Sequence, residues 1–186
     1  MSDTEELFDV YDRDGINTGR IATAAETTAE RLIIKTAAVW FVKYDGGGQR
    51  RVLLQKNGKP ADKSFGKWRL SVTGKTRAGE STLDAAQRET AEELGLDIPK
   101  KKFCFIKTFF YDDDRHLPYF CDMYVAFMDA EIADMKIDET EVADVRWFDL
   151  DYLIDWEQND LDVDKSRFGH RLNCLLEWLG KNGNKN

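Results

Sequence analysis

Apolar residues in this chain gather in short runs separated by polar, glycine-bearing segments, and the period within each run separates strand from helix. Residues 36–44 (TAAVWFVKY), 103–111 (FCFIKTFFY) and 119–128 (YFCDMYVAFM) are rich in β-branched and aromatic side chains, which predicts buried strands. Residues 50–56 return after a turn at Asp45, Gly46, Gly47 and Gly48, and 68–73 and 142–148 supply further strands. Residues 7–11 and 16–23 predict a hairpin with Asp14 and Gly15 at its turn, followed by a loop or weak helical turn over 24–31. At about 100° per residue, Leu83, Ala86, Thr90 and Leu94 form one stripe. Ser81 is placed to cap that helix, Asp84 to close a capping box and Gly95 to end it in the left-handed region, which predicts a helix over 82–94. Residues 149–155 begin another helix. Phe168, Leu172, Leu175, Leu176 and Leu179 mark one over 166–179 that docks on the sheet.

The helix at 82–94 carries more acid than stability favours. Glu89, Glu92 and Glu93 lie together beside its apolar stripe, at spacings where like charges repel, and in the C-terminal half, where the helix dipole also disfavours anions. A bound cation reverses that balance. Hard divalent ions such as Mg²⁺ or Mn²⁺ take carboxylate oxygens and keep several waters, which leaves room for phosphate oxygens.

From Gly74 the chain reads Gly, five residues, Glu80, seven residues, Arg88, Glu89, Thr90, one residue, Glu92, Glu93, one residue, Gly95, Leu96. This spacing resembles the Nudix box of the Nudix hydrolase superfamily, with Thr90 where an aliphatic residue is more usual. The resemblance implies an α/β fold, an α/β/α sandwich around a mixed β-sheet, over about 32–180, extended by an N-terminal β-hairpin (1–31) and followed by a tail (181–186). It also implies Mg²⁺ or Mn²⁺ held by Glu89, Glu92, Glu93 and the Gly74 carbonyl, with Glu80 and Arg88 in support. A glutamate from a loop outside the box often completes such sites. Of Glu139 and Glu141, Glu141 is preferred, and Glu89 and Glu141 both stand as the base that activates water.

The leading LFDVYDRDGINTGR resembles the branch that includes type 1 isopentenyl-diphosphate isomerase, which moves a proton with a cysteine and binds metal through histidines. Thr73 stands where that cysteine belongs and Lys75 where a histidine belongs, and the only histidines, His116 and His170, come late. A threonine hydroxyl is too weak an acid for that transfer. The resemblance therefore implies hydrolysis of a diphosphate linkage in a small nucleoside or other organic diphosphate. A ligand-sensing module without turnover is the alternative, although such modules commonly lose box carboxylates and this chain keeps all of them.

Lys56, Lys59, Lys63, Lys67 and Arg69 gather ahead of the box as candidates for holding phosphate, and Lys56, Lys67, Arg69 and Lys75 are the preferred contacts. Phe65 and Trp68 read as packing anchors. Asp112, Asp113 and Asp114 read as a solvated turn, and His116 and His170 as surface or packing residues. A net charge of −8 offers no basic face to duplex nucleic acid or an anionic membrane. With three scattered cysteines and no signal-like or membrane-length apolar run, the expected compartment is the cytoplasm. The apolar hairpin offers a face across which two copies would pack as a homodimer.

Overall fold

In the computed structural model the described residues are 6–113, 116–165 and 167–182. Asp114, Ser166 and residues 183–186 of the expected tail lie outside them. A hairpin of β1 (Leu7–Tyr11) and β2 (Asn17–Thr23) forms a sheet of its own. Its turn is organised by Asp12, whose carboxylate accepts from the amides of Asp14 and Ile16, with Gly15 at φ +80°. Leu7, Ile16 and Ile21 of this segment are exposed. Of the two forms expected for the stretch after it, the helical one is found: α1 (Ala24–Ala29) is closed by a reciprocal capping box between Thr23 and Glu26.

The main sheet holds β3 (Ile34–Tyr44), β4 (Arg50–Asn57), β5 (Trp68–Arg69), β6 (Val72–Lys75), β7 (Cys104–Tyr111), β8 (Tyr119–Phe127) and β9 (Val142–Asp149). It is mixed: β3 pairs β8 in parallel, and the other pairings are antiparallel. Around it pack α2 (Thr82–Leu94), α3 (Leu150–Ile154) and α4 (Phe168–Asn182). Alternation along β3 feeds two cores. Ala38, Trp40 and Val42 join Phe168, Leu172 and Leu175 of α4, whereas Ala37, Val39 and Phe41 join Ala85, Ala86 and Leu94 of α2. The result is a sandwich with helices on both faces.

One departure from regular pairing positions the site. β3 and β4 are paired only at Val42–Val52, Lys43–Arg51 and Tyr44–Arg50, and then diverge. The chain from Trp68 fills the fork: β5 pairs β4, and β6 pairs β3. The single strand expected over 68–73 is thus two strands serving different partners. Ser71 sits at the crotch, where its hydroxyl accepts from the Phe41 amide (2.8 Å) and donates to the Leu53 carbonyl (2.6 Å), so two backbone groups that lose their ladder stay satisfied.

Phe65 is 53% exposed and does not anchor the core, because its loop, 58–67, turns on itself through Asp62 and Ser64. Trp68 is buried as expected. No helix among the described residues is long and apolar enough to cross a membrane.

Candidate active site

The loop between β6 and α2 is held by its own box and by the hairpin. Glu80 accepts from the Arg77 amide, Ala78 donates to the Leu7 carbonyl (2.7 Å), and the Gly79 amide donates to Asp9 (2.8 Å). Gly79 needs φ +76°, a region that costs a side chain energy. The helix then starts on the Ser81–Asp84 capping box and stops on Gly95 at φ +66°, as its sequence predicts.

Arg88 organises the acids. Its Nε and one terminal nitrogen form a two-pronged bond to Glu80 (both 2.9 Å), and that second nitrogen also donates to the Lys75 carbonyl (2.9 Å). The other terminal nitrogen reaches Glu89 (2.8 Å) and Glu92 (2.9 Å). Although burial opposes it, the Arg88 bond holds the Glu80 carboxyl below its ordinary value. Glu89 is shifted the other way, because burial outweighs Arg88.

The three box glutamates do not share one environment. Glu93 is 2% exposed, and its oxygens accept from Gln55 (2.9 Å) and Arg69 (3.2 Å). Burial pushes its carboxyl up to about 7 despite Arg69. Glu92 is 48% exposed on its side chain and turns towards Arg88 and Arg77. Glu141 takes the third place instead: Glu89, Glu93 and Glu141 bring carboxylate oxygens within 4.8 Å of one another. The Glu141 backbone carbonyl accepts from Gly58, and its side chain pairs with Lys59 (2.8 Å), which ties the approach to β9 to the loop after β4. Glu139 is exposed.

Three converging carboxylates, two raised by burial, form a set of hard oxygen donors that fits a divalent cation: metal charge would offset the repulsion that now favours protonation. Gly74 belongs to the same geometry, since a Cβ there would lie 2.0 Å from Glu89 Cδ.

The carboxylates open onto a cavity of about 420 Å³. Arg69 and Lys75 line it; Lys56 and Lys67 do not, and Lys56 lies over the ring of Trp68 instead (5.9 Å). The cavity wall also includes Lys59, one of the lysines expected to hold phosphate, and Arg77, Arg167 and Arg171, which sequence reasoning had not singled out. Arg77 lies inside the box spacing at a position the pattern leaves free. Arg167 and Arg171 lie on and before a helix whose apolar stripe drew attention to its core face only. His116 lines the cavity and bonds to Asp113 (3.0 Å), while His170 packs edge-on against Phe109 (5.1 Å).

Comparison with known proteins points to one family. Nudix hydrolase 3 of Arabidopsis thaliana is 35% identical over 53% of this chain and 12% of its own length. The isopentenyl-diphosphate Delta-isomerase of Burkholderia multivorans is 27% identical over 74% of this chain and 73% of that protein. The chain spans about half or less of the length of the first curated relatives it matches. Among solved structures, the C. elegans Ap4A hydrolase superposes with a TM-score of 0.58 at 22% identity, covering 79% of this chain and 98% of that one, which is a likeness of fold. A NUDIX-domain family model matches residues 34–172, from the first residue of β3 to α4, and so takes in the fork, the box and both walls of the cavity. On that match the chain belongs to the Nudix superfamily.

Proposed function

We propose that this protein hydrolyses a diphosphate linkage in a small organic diphosphate, nucleoside or otherwise. The observation that carries the reading is the convergence of Glu89, Glu93 and Glu141 at the mouth of a cavity large enough for such a molecule. These three residues would hold Mg²⁺ or Mn²⁺, which when bound neutralises diphosphate oxygens and acidifies a water.

The remaining work falls to the chain. Arg88 fixes the rotamer of Glu89, and Gln55 with Arg69 fixes that of Glu93. Arg69 and Lys75 face the cavity with positive charge for the phosphate oxygens. Glu141 is assigned as proton acceptor: its side chain pairs with the surface lysine Lys59, whereas Glu89 is tied to Arg88 and Glu93 to two donors. The attacking water gives its proton to Glu141 as its oxygen bonds to phosphorus, and the bridging P–O bond breaks to leave two phosphoryl products.

Isomerase chemistry is not proposed, because Thr73 and Lys75 line the cavity where the resemblance requires a cysteine and a histidine. The three cysteines are all free thiols, which supports the cytoplasmic placement. The test is a panel of diphosphates with Mg²⁺ or Mn²⁺, scored for phosphate or monophosphate release, with Glu93→Gln alongside. Cleavage of a panel member that the substitution abolishes is the expected result. Binding without cleavage by the wild type would replace the hydrolase with a sensing module.

A further inference from the structure

The end of the cavity away from the carboxylates is cationic. Arg167, immediately before α4, and Arg171, in its first turn, converge on one phenol: Tyr119 Oη accepts from Arg167 Nη1 (2.6 Å) and Arg171 Nη2 (3.2 Å). Burial pushes that phenol up to about 12 against the pull of both guanidinium groups, so it is neutral and cancels neither charge. Arg171 Nε also donates to Tyr111 Oη (3.2 Å). The guanidinium carbons also lie near a tyrosine ring, Arg167 5.0 Å and Arg171 5.2 Å from the centre of Tyr111. The guanidinium edges are only partly taken. Arginine carries five N–H donors: the bonds above use Nε and Nη2 of Arg171 and leave Nη1, and Arg167 Nε is buried without a partner among the described residues.

The countercharge is uneven. Arg167 pairs with Asp113 (2.9 Å), which it shares with His116, but among the described residues no carboxylate pairs with Arg171. Asp164 also lines the cavity, and it contributes its backbone carbonyl to the start of α4. Two cations at the amino end of a helix are disfavoured by each other and by the dipole; Asp113 offsets Arg167, whereas Arg171 has no carboxylate paired with it among the described residues.

Strand register sets the distance between the two ends. Gly74 pairs Ala37, and Ala37 pairs Asp122, while Tyr119 lies three positions before Asp122 on β8. Two strand spacings and three residue rises separate the Gly74 and Tyr119 backbones by about 14 Å.

We propose that Arg171, with Arg167, forms a second anion subsite, so that the substrate is a diphosphate bearing a further carboxylate or phosphate ester at its far end. This rests on the diphosphate reading above and narrows its substrate class. A diphosphate whose other end is a plain hydrocarbon leaves Arg171 without an anionic partner.

The experiment uses matched pairs: UDP-glucuronate against UDP-glucose for the carboxylate, and coenzyme A against its 3′-dephospho form for the phosphate ester. The wild type is expected to favour the anion-bearing member of one pair by at least about tenfold in kcat/KM, the worth of one charge-assisted contact. Arg171→Gln should collapse that ratio towards one; a merely structural arginine would lower both members alike and leave the ratio intact. Should Arg171→Gln fail to fold, Arg171→Lys keeps the charge without the planar fork and should reduce the ratio several-fold. Equal use of both members of both pairs by the wild type overturns the proposal. Equilibrium binding of the same pairs to the Glu93→Gln protein separates the two readings: an Arg171-dependent preference without turnover in the wild type removes the hydrolase and keeps the subsite, and turnover without preference does the reverse.

Discussion

Gly74 lies directly beneath Glu89, so close that a Cβ at 74 would fall 2.0 Å from the Glu89 carboxyl carbon. The glycine at the head of the box is therefore a seat for a carboxylate. Gly74→Ala should displace Glu89 and lower kcat/KM by at least about 100-fold, with about 1–3 kcal/mol lost from overpacking. Steady-state kinetics and urea unfolding check both parts, and activity within fivefold of wild type would contradict the geometry.

Glu93 makes stability depend on pH in a direction opposite to most carboxylates. Its folded value of about 7 lies above the ordinary 4.5, so the folded state holds the proton more tightly than the unfolded chain. This group's contribution is fully present below about pH 4.5, declines as pH rises through about 7, and is flat above. The span corresponds to about 3 kcal/mol at most. In chelator, unfolding free energy should fall between pH 5 and pH 8, Glu93→Gln should lack much of that slope, and Mg²⁺ or Mn²⁺ should restore stability at pH 8. A variant with the wild-type slope would reassign the titration to other groups.

Ser71 substitutes for the hydrogen bonds that β3 and β4 lose on diverging. Ser71→Ala leaves the Phe41 amide and the Leu53 carbonyl without that partner and should cost about 1–3 kcal/mol. Hydrogen exchange at the Phe41 amide should accelerate more than at the paired positions of β3 beyond the fork; uniform exchange would mean the fork does not depend on this hydroxyl.

Arg88 cannot be replaced by lysine without loss, because a single ammonium cannot serve Glu80, Glu89, Glu92 and the Lys75 carbonyl from one plane. Arg88→Lys should lower kcat more than it raises KM and cost about 3 kcal/mol, as expected for breaking a largely buried pair. An unchanged kcat would show that Glu89 keeps its place without this partner.

What the sequence disclosed depended on how local the determinant is. The bounds of α2, its capping box and its left-handed stop rest on residues within a few positions of each other, and they match the structure at both ends. Gly74 and Glu89 share a spacing pattern, which set both at the metal site, but that the glycine makes room for the carboxylate shows only in the packing. The break at Ser71 was not, because a strand that changes partners keeps the same apolar pattern on either side of the change. Glu92 and Glu93 are adjacent in sequence, yet one faces solvent and the other is buried; helical angle alone grouped them, and only the packing of Gln55 and Arg69 separates them. Lys56 and Lys67 sit near Arg69 in the chain but do not line the cavity, whereas Arg171 reaches it from about a hundred residues beyond Arg69, outside the range of any spacing argument.

The fork also has a mechanical meaning. Residues 68–75 run through it as one thread, with Trp68 fastened among the α4 residues, Val72 among those of α2, and Gly74 under the carboxylate. That one continuous stretch of eight residues therefore touches both cores and the carboxylate seat, so the spacing between the α4 side of the sheet and Glu89 is set by backbone and not by side-chain packing alone.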